Sequence, residues 1–148
     1  MAEQEPKDFG GYLDQSLLLM EREAPDLFRL LRARMTNQHV MIAVGSDPTI
    51  HVSFENGRPW VRATETKPSN VTVAIPQSEL DSLLRGDSTV EAAIARSQLA
   101  IQGPIDSVVA LLESLTLWFH GAVRCPSLPT LHARYLVRGD TLASTIRN

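Results

Sequence analysis

The segment from residue 71 to residue 115 constrains the fold more than any other part of the chain. At its start Val71, Val73 and Ile75 alternate with small or polar residues, which is the pattern of a half-buried β-strand. Pro76 ends this strand because proline has no N–H to donate to a neighbouring strand. Leucines at helical spacing follow, and they predict a short helix over residues 78–84 that ends before a glycine.

The same segment continues with a second short helix, a short strand and a long helix. Ser88 and Glu91 have the spacing of a capping box, which predicts that a helix begins at Ser88. Residues 99–101 read as a brief strand, and Gly103-Pro104 opens the long helix. The predicted apolar stripe of this helix consists of Ile105, Val108, Val109, Leu112, Leu115 and Phe119. Ser107 and Ser114 are assigned to its polar side.

This order of elements resembles the sterol carrier protein family of the nonspecific lipid-transfer type. The motifs that carry the resemblance lie between residues 70 and 115, namely VTVAI, SELDSLLRG and VEAAIARSQLAIQGPI, and the order of elements matches over roughly residues 10–120. Ser97-Gln98 stands where the family usually has Gly-Lys, and Pro104 stands where Asp is common. The resemblance implies an apolar cavity that binds lipids, no catalytic signature, and a C-terminal segment lying over the cavity mouth. We therefore expect residues from Pro126 onward to form a lid.

The remaining sequence predicts two helices followed by three strands. Helical spacing is present over residues 12–20, and Pro25 suits the first turn of the next helix. Strands are predicted over 40–44, 49–54 and 59–63, and Asn56-Gly57 between the last two is a strong hairpin signal. With the later strands this makes five. The predicted fold class is α+β, with a five-stranded, mainly antiparallel sheet covered by helices and an apolar cavity.

The domain organisation follows from length and composition. A chain of 148 residues with 43% hydrophobic residues suits one domain with a sizeable core. Residues 1–9 are predicted to be a flexible tail. Residues 10–148 are predicted to form a single sterol-carrier-like domain, with a C-terminal extension from about residue 121.

Charge and composition exclude several classes of partner and indicate a compartment. The formal net charge of −3 gives no electrostatic reason to expect a nucleic-acid partner. No run of about 18 apolar residues is present, so we expect no integral membrane association. The single cysteine, Cys125, fits a reducing compartment, and the acidic N-terminus does not resemble a signal peptide. We therefore expect a cytoplasmic protein.

The sequence contains no recognisable catalytic, cofactor or metal motif. The four histidines, which are His39, His51, His120 and His132, lack the spacing of metal ligands. Cys125 lies near two of them and beside Arg124, an arrangement that would lower the thiol pKa if the fold brought these groups together. We expect no catalytic residues, no metal and no cofactor, and we interpret Cys125 as an incidental thiol.

The first functional hypothesis is therefore noncatalytic binding or carriage of a hydrophobic small molecule, such as a lipid, a sterol or an acyl-type ligand. The predicted wall residues come from strand faces and helix stripes; they are Phe54, Trp60, Leu83, Ile101, Leu112, Leu115, Trp118 and Phe119. Two alternatives remain open. One is a small biosynthetic enzyme that folds and cyclises a hydrophobic intermediate in the same pocket, oriented by Arg124, His120 and Tyr135. The other is a dimerisation or regulatory module, in which the long apolar helix forms a homodimer.

Overall fold

A five-stranded mixed sheet organises the fold. The structure is a computed structural model that describes residues 6–63 and 69–147. The strands are β1 (Val40–Val44), β2 (Ile50–Glu55), β3 (Arg58–Ala63), β4 (Val71–Ile75) and β5 (Ala100–Gln102). The helices are α1 (Phe9–Glu23), α2 (Pro25–Met35), α3 (Gln77–Arg85), α4 (Val90–Ala95), α5 (Ile105–Arg124) and α6 (Leu128–Arg147).

The strand order across the sheet is β3-β2-β1-β4-β5. Strands β1 and β4 are parallel, and the other three neighbouring pairs are antiparallel. The predicted α+β class with a mainly antiparallel five-stranded sheet is therefore confirmed. Strands β1, β3 and β4 therefore run in one direction, and β2 and β5 run in the other.

One face of the sheet is apolar, and the helices pack against it. Val40 and Val71 are register partners, as are Ile42 and Val73, so the alternating aliphatic residues of β1 and β4 lie on the same face. Val40, Val71 and Val73 are buried there, whereas Thr72 on the opposite face of β4 is exposed. The two-residue alternation thus places the core between this face and the helices.

The hairpin between β2 and β3 has the geometry that its sequence predicts. Asn56 and Gly57 have φ values of 53° and 77°, and Glu55 pairs with Arg58 on either side of them. A two-residue turn with both φ values positive matches the right-handed twist of the strands. This prediction is confirmed.

A buried aromatic cluster joins α1, α5 and α6. The rings of Tyr12 and Tyr135 lie 4.5 Å apart, and the ring of Trp118 contacts Tyr12 edge-on at 5.8 Å. The indole Nε1–H of Trp118 donates a 2.8 Å hydrogen bond to Ser16 Oγ, whose hydroxyl in turn donates to the Leu13 carbonyl at 2.7 Å. Because every one of these groups is buried, the cluster sets the positions of the three helices relative to one another.

The buried face of α5 differs from the predicted apolar stripe by about one residue. Ile105 is 74% exposed and Val109 is 45% exposed, whereas Ser107 and Ser114 are buried. Both serines have hydrogen-bond partners: Ser107 Oγ accepts from the Asn70 side chain, and Ser114 Oγ donates to the Ala110 carbonyl. A satisfied hydroxyl is small enough to face the core, and for that reason hydrophobicity alone assigned these positions to the wrong side.

The capping residue of α4 is also corrected. The side chain of Thr89, rather than that of Ser88, accepts from the Ala92 N–H at the start of this helix. Ser88 instead donates to Glu79 Oε1 and accepts from Arg96.

The N-terminal segment packs more closely than a flexible tail would. Phe9 begins α1 and is buried in the core, and Pro6 is also buried. The side chain of Asp8 caps α1 by accepting from the Gly11 N–H. The tail prediction is therefore wrong for these positions, while residues 1–5 lie outside the described residues.

The C-terminal extension forms a core helix from its first turn. Leu128, Leu131 and Tyr135 on α6 are buried in the main hydrophobic cluster. Ser127 donates from its backbone N–H and from its hydroxyl to the Glu23 carboxylate at the end of α1, and these bonds hold the pKa of Glu23 below its usual range. A lid must separate from the domain without disrupting the core, so residues 126–135 do not fit the expected lid.

Within the described ranges, none of the helices is long and apolar enough to cross a membrane.

We predict that Gly103→Ala destabilises the protein by about 1–3 kcal/mol. A Cβ at this position would lie 2.6 Å from the Asn70 carbonyl oxygen and 3.2 Å from Val71 Cα, so the backbone of β4 would have to move. Gly11→Ala is the control, since a Cβ there meets its nearest atom at 3.6 Å. Urea unfolding of both variants measures the effect, and equal stabilities would contradict the close approach.

We predict that Leu128→Ala lowers the unfolding free energy by about 2–5 kcal/mol because the residue is fully buried. Val137→Ala on the same helix is the matched control, and its change should stay within about 0.5 kcal/mol because Val137 is 59% exposed. Unfolding of Leu128→Ala at the wild-type midpoint would restore the lid interpretation.

Candidate ligand-binding site

The space between the apolar face of the sheet and the helices is not completely filled. A first cavity of about 70 Å³ lies between strands β1 and β2 and helices α1, α2 and α5. The residues lining it are Phe9, Leu13, Leu17, Leu31, Met35, Val40, Ile42, Val52, Phe54, Leu111, Ser114, Leu115 and Trp118.

A second cavity of about 50 Å³ adjoins the first on the side of β4 and α3. The two share a partition formed by Phe9, Ile42, Leu111, Leu115 and Trp118. The residues that line the second cavity alone are Val44, Val73, Ile75, Leu80, Leu83, Val90, Leu99 and Phe119. The two spaces therefore form a pair of apolar compartments separated by five side chains.

The lining presents almost no polar chemistry. Ser114 and Trp118 are the lining residues with polar side-chain atoms, and both are satisfied within the protein by Ala110 and Ser16 respectively. An apolar cavity without available hydrogen-bonding groups remains dry. Such a space can accommodate a hydrocarbon group.

The structure brings together five of the eight predicted wall residues. Phe54, Leu115 and Trp118 line the first cavity, and Leu83 and Phe119 line the second, together with Leu115 and Trp118. Whether these side chains contact a ligand stays a prediction.

The other three predicted wall residues lie outside the cavities. Trp60 pairs with Ser53 and stacks edge-on against His51 at 5.5 Å, which places it on the opposite face of the sheet from Val52. Ile101 packs against the core beside Val73 but lines neither cavity. Leu112 is half-buried and also lines neither, because the buried face of α5 runs through other positions.

Helices α1 and α2 supply lining residues that were not named as wall residues. Leu13 and Leu17 belong to the helical stripe that the sequence indicates, and Leu31 lies on the apolar side of α2. Their spacing predicts that they are buried, but nothing in that spacing separates core contact from cavity contact. Phe9 was missed because it stands beside two glycines in a segment that reads as a tail.

A wider groove of about 450 Å³ opens to solvent outside the second cavity, and we call it the outer groove. It lies between the turn joining α3 to α4 and helices α5 and α6. Leu83, Val90 and Phe119 line both this groove and the second cavity. His120 and His132 also line it, and burial lowers the pKa of His132, which favours its neutral form.

The groups proposed for catalysis do not form a site. Cys125 is buried, and burial raises the pKa of its thiol, with a smaller upward effect from the Glu23 carboxylate, so the thiol is not activated by its neighbours. Tyr135 is fully buried and hydrogen-bonds with Gln77, while Arg124 and His120 are exposed. Among residues 6–63 and 69–147, no group of three or more His, Cys, Asp or Glu side chains is placed to hold a metal ion.

Comparison with known proteins identifies the fold. No family model matches the sequence, and no curated protein matches it. Among solved structures, the sterol carrier protein domain 2 of Helicoverpa armigera is similar, with a TM-score of 0.57 and 19% identity, covering 84% of this chain and 97% of that one. Sterol carrier protein 2 from Yarrowia lipolytica has a TM-score of 0.51 and 9% identity, covering 79% of this chain and 97% of that one.

A third similar structure is described as UbiJ-SCP2, a ubiquinone synthesis protein. Its TM-score is 0.54 at 18% identity, and the match covers 72% of this chain and 84% of that one. At these low identities the structural matches show a likeness of fold alone. They confirm the resemblance inferred from residues 70–115. The chain has a sterol-carrier-protein-like fold.

Proposed function

We propose that this protein binds a hydrophobic small molecule between its sheet and its helices. The observation that carries the proposal is the pair of adjoining apolar cavities, whose lining offers no available hydrogen-bonding side chain. Protein cores are ordinarily packed as densely as organic crystals. A core that leaves adjoining apolar spaces unfilled is the kind of site that hydrocarbon ligands occupy.

The unfilled space has an energetic cost. At about 24 cal/mol per Å³, the first cavity of about 70 Å³ destabilises the fold by about 1.7 kcal/mol. A ligand that occupies the space recovers this energy and gains about 0.8 kcal/mol for each methylene removed from water. These gains offset the translational and rotational freedom that a ligand loses on binding, which costs about 4–15 kcal/mol.

The size of the cavities sets a requirement on a long ligand. Apolar cavities of about 150 Å³ accept a molecule the size of benzene, and the two compartments are smaller than that, at about 70 and 50 Å³. A lipid-sized chain must therefore displace the partition between them. Leu115 is the natural residue to move, since it belongs to the partition and is only half-buried.

An all-apolar lining also limits selectivity. One methylene more or less changes the binding free energy by only about 1–3 kcal/mol in a hydrophobic pocket. We therefore propose a binder of broad specificity for lipid, sterol or acyl-type chains, in line with the carrier proteins that share the fold. The proposal requires no cofactor or metal.

A biosynthetic role for the same pocket is the second candidate, favoured by the similarity to a ubiquinone synthesis protein. In that role the pocket would hold a hydrophobic intermediate. The side chains once proposed to orient it, Arg124, His120 and Tyr135, do not converge on the cavities, so we propose holding rather than cyclisation. A polyprenyl quinone that displaces a bound acyl probe at lower concentration than fatty acids would favour this candidate.

We predict saturable binding of a fluorescent fatty acyl probe, followed by the increase in probe emission on titration. Because the proposed contacts are apolar, a chelator such as EDTA should leave the dissociation constant unchanged. Absence of saturation with acyl, sterol and prenyl probes alike would contradict the proposed function. Loss of binding on chelation would contradict the metal-free site.

We predict that Leu115→Phe weakens probe binding by roughly tenfold while the unfolding midpoint stays the same or rises, since the larger ring fills empty space beside both cavities. Leu112→Phe is the matched control, because Leu112 is half-buried on the same helix and lines neither cavity. Probe titration and thermal unfolding are measured on both variants. Equal affinities would place the ligand elsewhere.

A further inference from the structure

We propose that the face of the sheet opposite the helices carries a binding site for a soft monovalent metal ion, Cu(I) or its analogue Ag(I). The site consists of four side chains on β1 and β2, which we call the quartet: His39, Met41, His51 and Ser53. Val52 stands between the last two in β2 and lines the first cavity, so the quartet lies on the other side of the sheet from the cavities. The inference therefore goes beyond the proposed function and does not depend on it.

Antiparallel pairing brings the four side chains of the quartet to one patch. Met41 and His51 are register partners in the β1–β2 ladder. Two residues back along β1 and two residues forward along β2 keep both the register and the face, which places His39 opposite Ser53. Opposite residues have Cβ atoms about 4.5–5.5 Å apart. The two histidines thus occupy diagonal corners of a square, and their ring centroids are 5.7 Å apart.

The quartet contains buried polar atoms that the described residues leave unsatisfied. His51 and Ser53 are each only 1% exposed. The Ser53 hydroxyl and the buried ring nitrogen of His39, Nδ1, have no hydrogen-bond partner among residues 6–63 and 69–147. These two residues face each other across the ladder. Buried polar atoms of this kind indicate a bound species such as an ion or an ordered water.

The ligand types of the quartet favour a metal ion over a water. Imidazole nitrogen binds copper and zinc, and the thioether of methionine selects Cu(I). A thioether accepts only weak hydrogen bonds, so a water would gain little from Met41. A ligating histidine uses one ring nitrogen and commonly donates from the other, so His51 can bind an ion and keep its other contacts. His39, His51 and Met41 are the three proposed ligands, and the Ser53 hydroxyl oxygen is a weaker fourth.

The neutral ligands determine the charge of the ion. The quartet contains no carboxylate or thiolate, and the cross-strand partner of His51 on β3 is the cationic Arg62. The guanidinium of Arg62 lies 5.5 Å from the centroid of the Trp60 ring, on the same face of the sheet. The cost of moving an ion out of water grows with the square of its charge. Neutral buried ligands beside an arginine therefore favour a monovalent ion over Zn(II).

An ion can enter from the β1 side of the quartet. His39 and Met41 are half-buried, whereas the two residues on β2 are enclosed. The ring of Trp60 stands edge-on to His51 at 5.5 Å. An ion bound at His51 therefore lies close enough to Trp60 to change its fluorescence.

The test titrates Ag(I) nitrate, in chloride-free buffer, into the full-length protein carrying Cys125→Ala, because the single thiol would otherwise compete for the ion. Calorimetry should show one equivalent bound, and Zn(II) should bind more weakly. Met41→Leu keeps the size of the side chain and removes the sulfur, so it should weaken Ag(I) binding roughly tenfold. His39→Gln should weaken it by a similar factor. Both residues are half-buried, and thermal unfolding verifies that the variants remain folded.

His120→Gln is the matched control, since His120 is an exposed histidine on α5 and should leave Ag(I) affinity unchanged. Trp60→Phe should still bind the ion but lose most of the change in tryptophan emission. No binding of Ag(I) by the Cys125→Ala protein would overturn the proposal, and so would an unchanged affinity in both Met41→Leu and His39→Gln. Tighter binding of Zn(II) than of Ag(I) would overturn the assignment of a soft monovalent ion.

Discussion

The aromatic cluster at the centre of the helical layer is the constraint on which the rest of the structure depends. The large, rigid rings of Trp118 and Tyr135 keep the helices from packing closer to the sheet. The hydrogen bond from Trp118 to Ser16 fixes the separation of α5 from α1. Because a buried indole N–H without an acceptor costs about 1–3 kcal/mol, this geometry resists adjustment. The empty space beside Trp118 is the consequence of holding the helices at that distance.

The elements of this fold with a local cause could be predicted from the sequence. The aliphatic alternation in β4 and the Asn56-Gly57 turn depend on a few neighbouring residues, and both are present as expected. The errors arose where a distant partner decides the outcome. Ser107 is buried because Asn70 satisfies it, and Thr89 rather than Ser88 caps α4 because Glu79 and Arg96 engage Ser88.

The candidate site could be predicted in part for the same reason. Helical spacing is sufficient to predict that Leu115 and Trp118 of α5 lie on the side of the cavities. The predicted apolar stripe of α5 is nevertheless rotated by about one residue from the face that is buried. Trp60 was misplaced because the register of β3 against β2 decides its face, and a one-residue shift exchanges the faces of a strand. Polar hydroxyls in the core and a buried Phe9 near the start of the chain leave no signal in hydrophobic periodicity.

The wide sequence separation across the aromatic cluster has a consequence for the order of folding. Ser16 and Trp118 are 102 positions apart, and Glu23 and Ser127 are 104 apart. Closing such long loops has an entropic cost, and the contacts that α1 makes with α5 and α6 form only after those two helices have been synthesised. A ribosome-bound chain shorter than this has the sheet residues but not the enclosed apolar space. The enclosed apolar space is therefore a property of the finished domain.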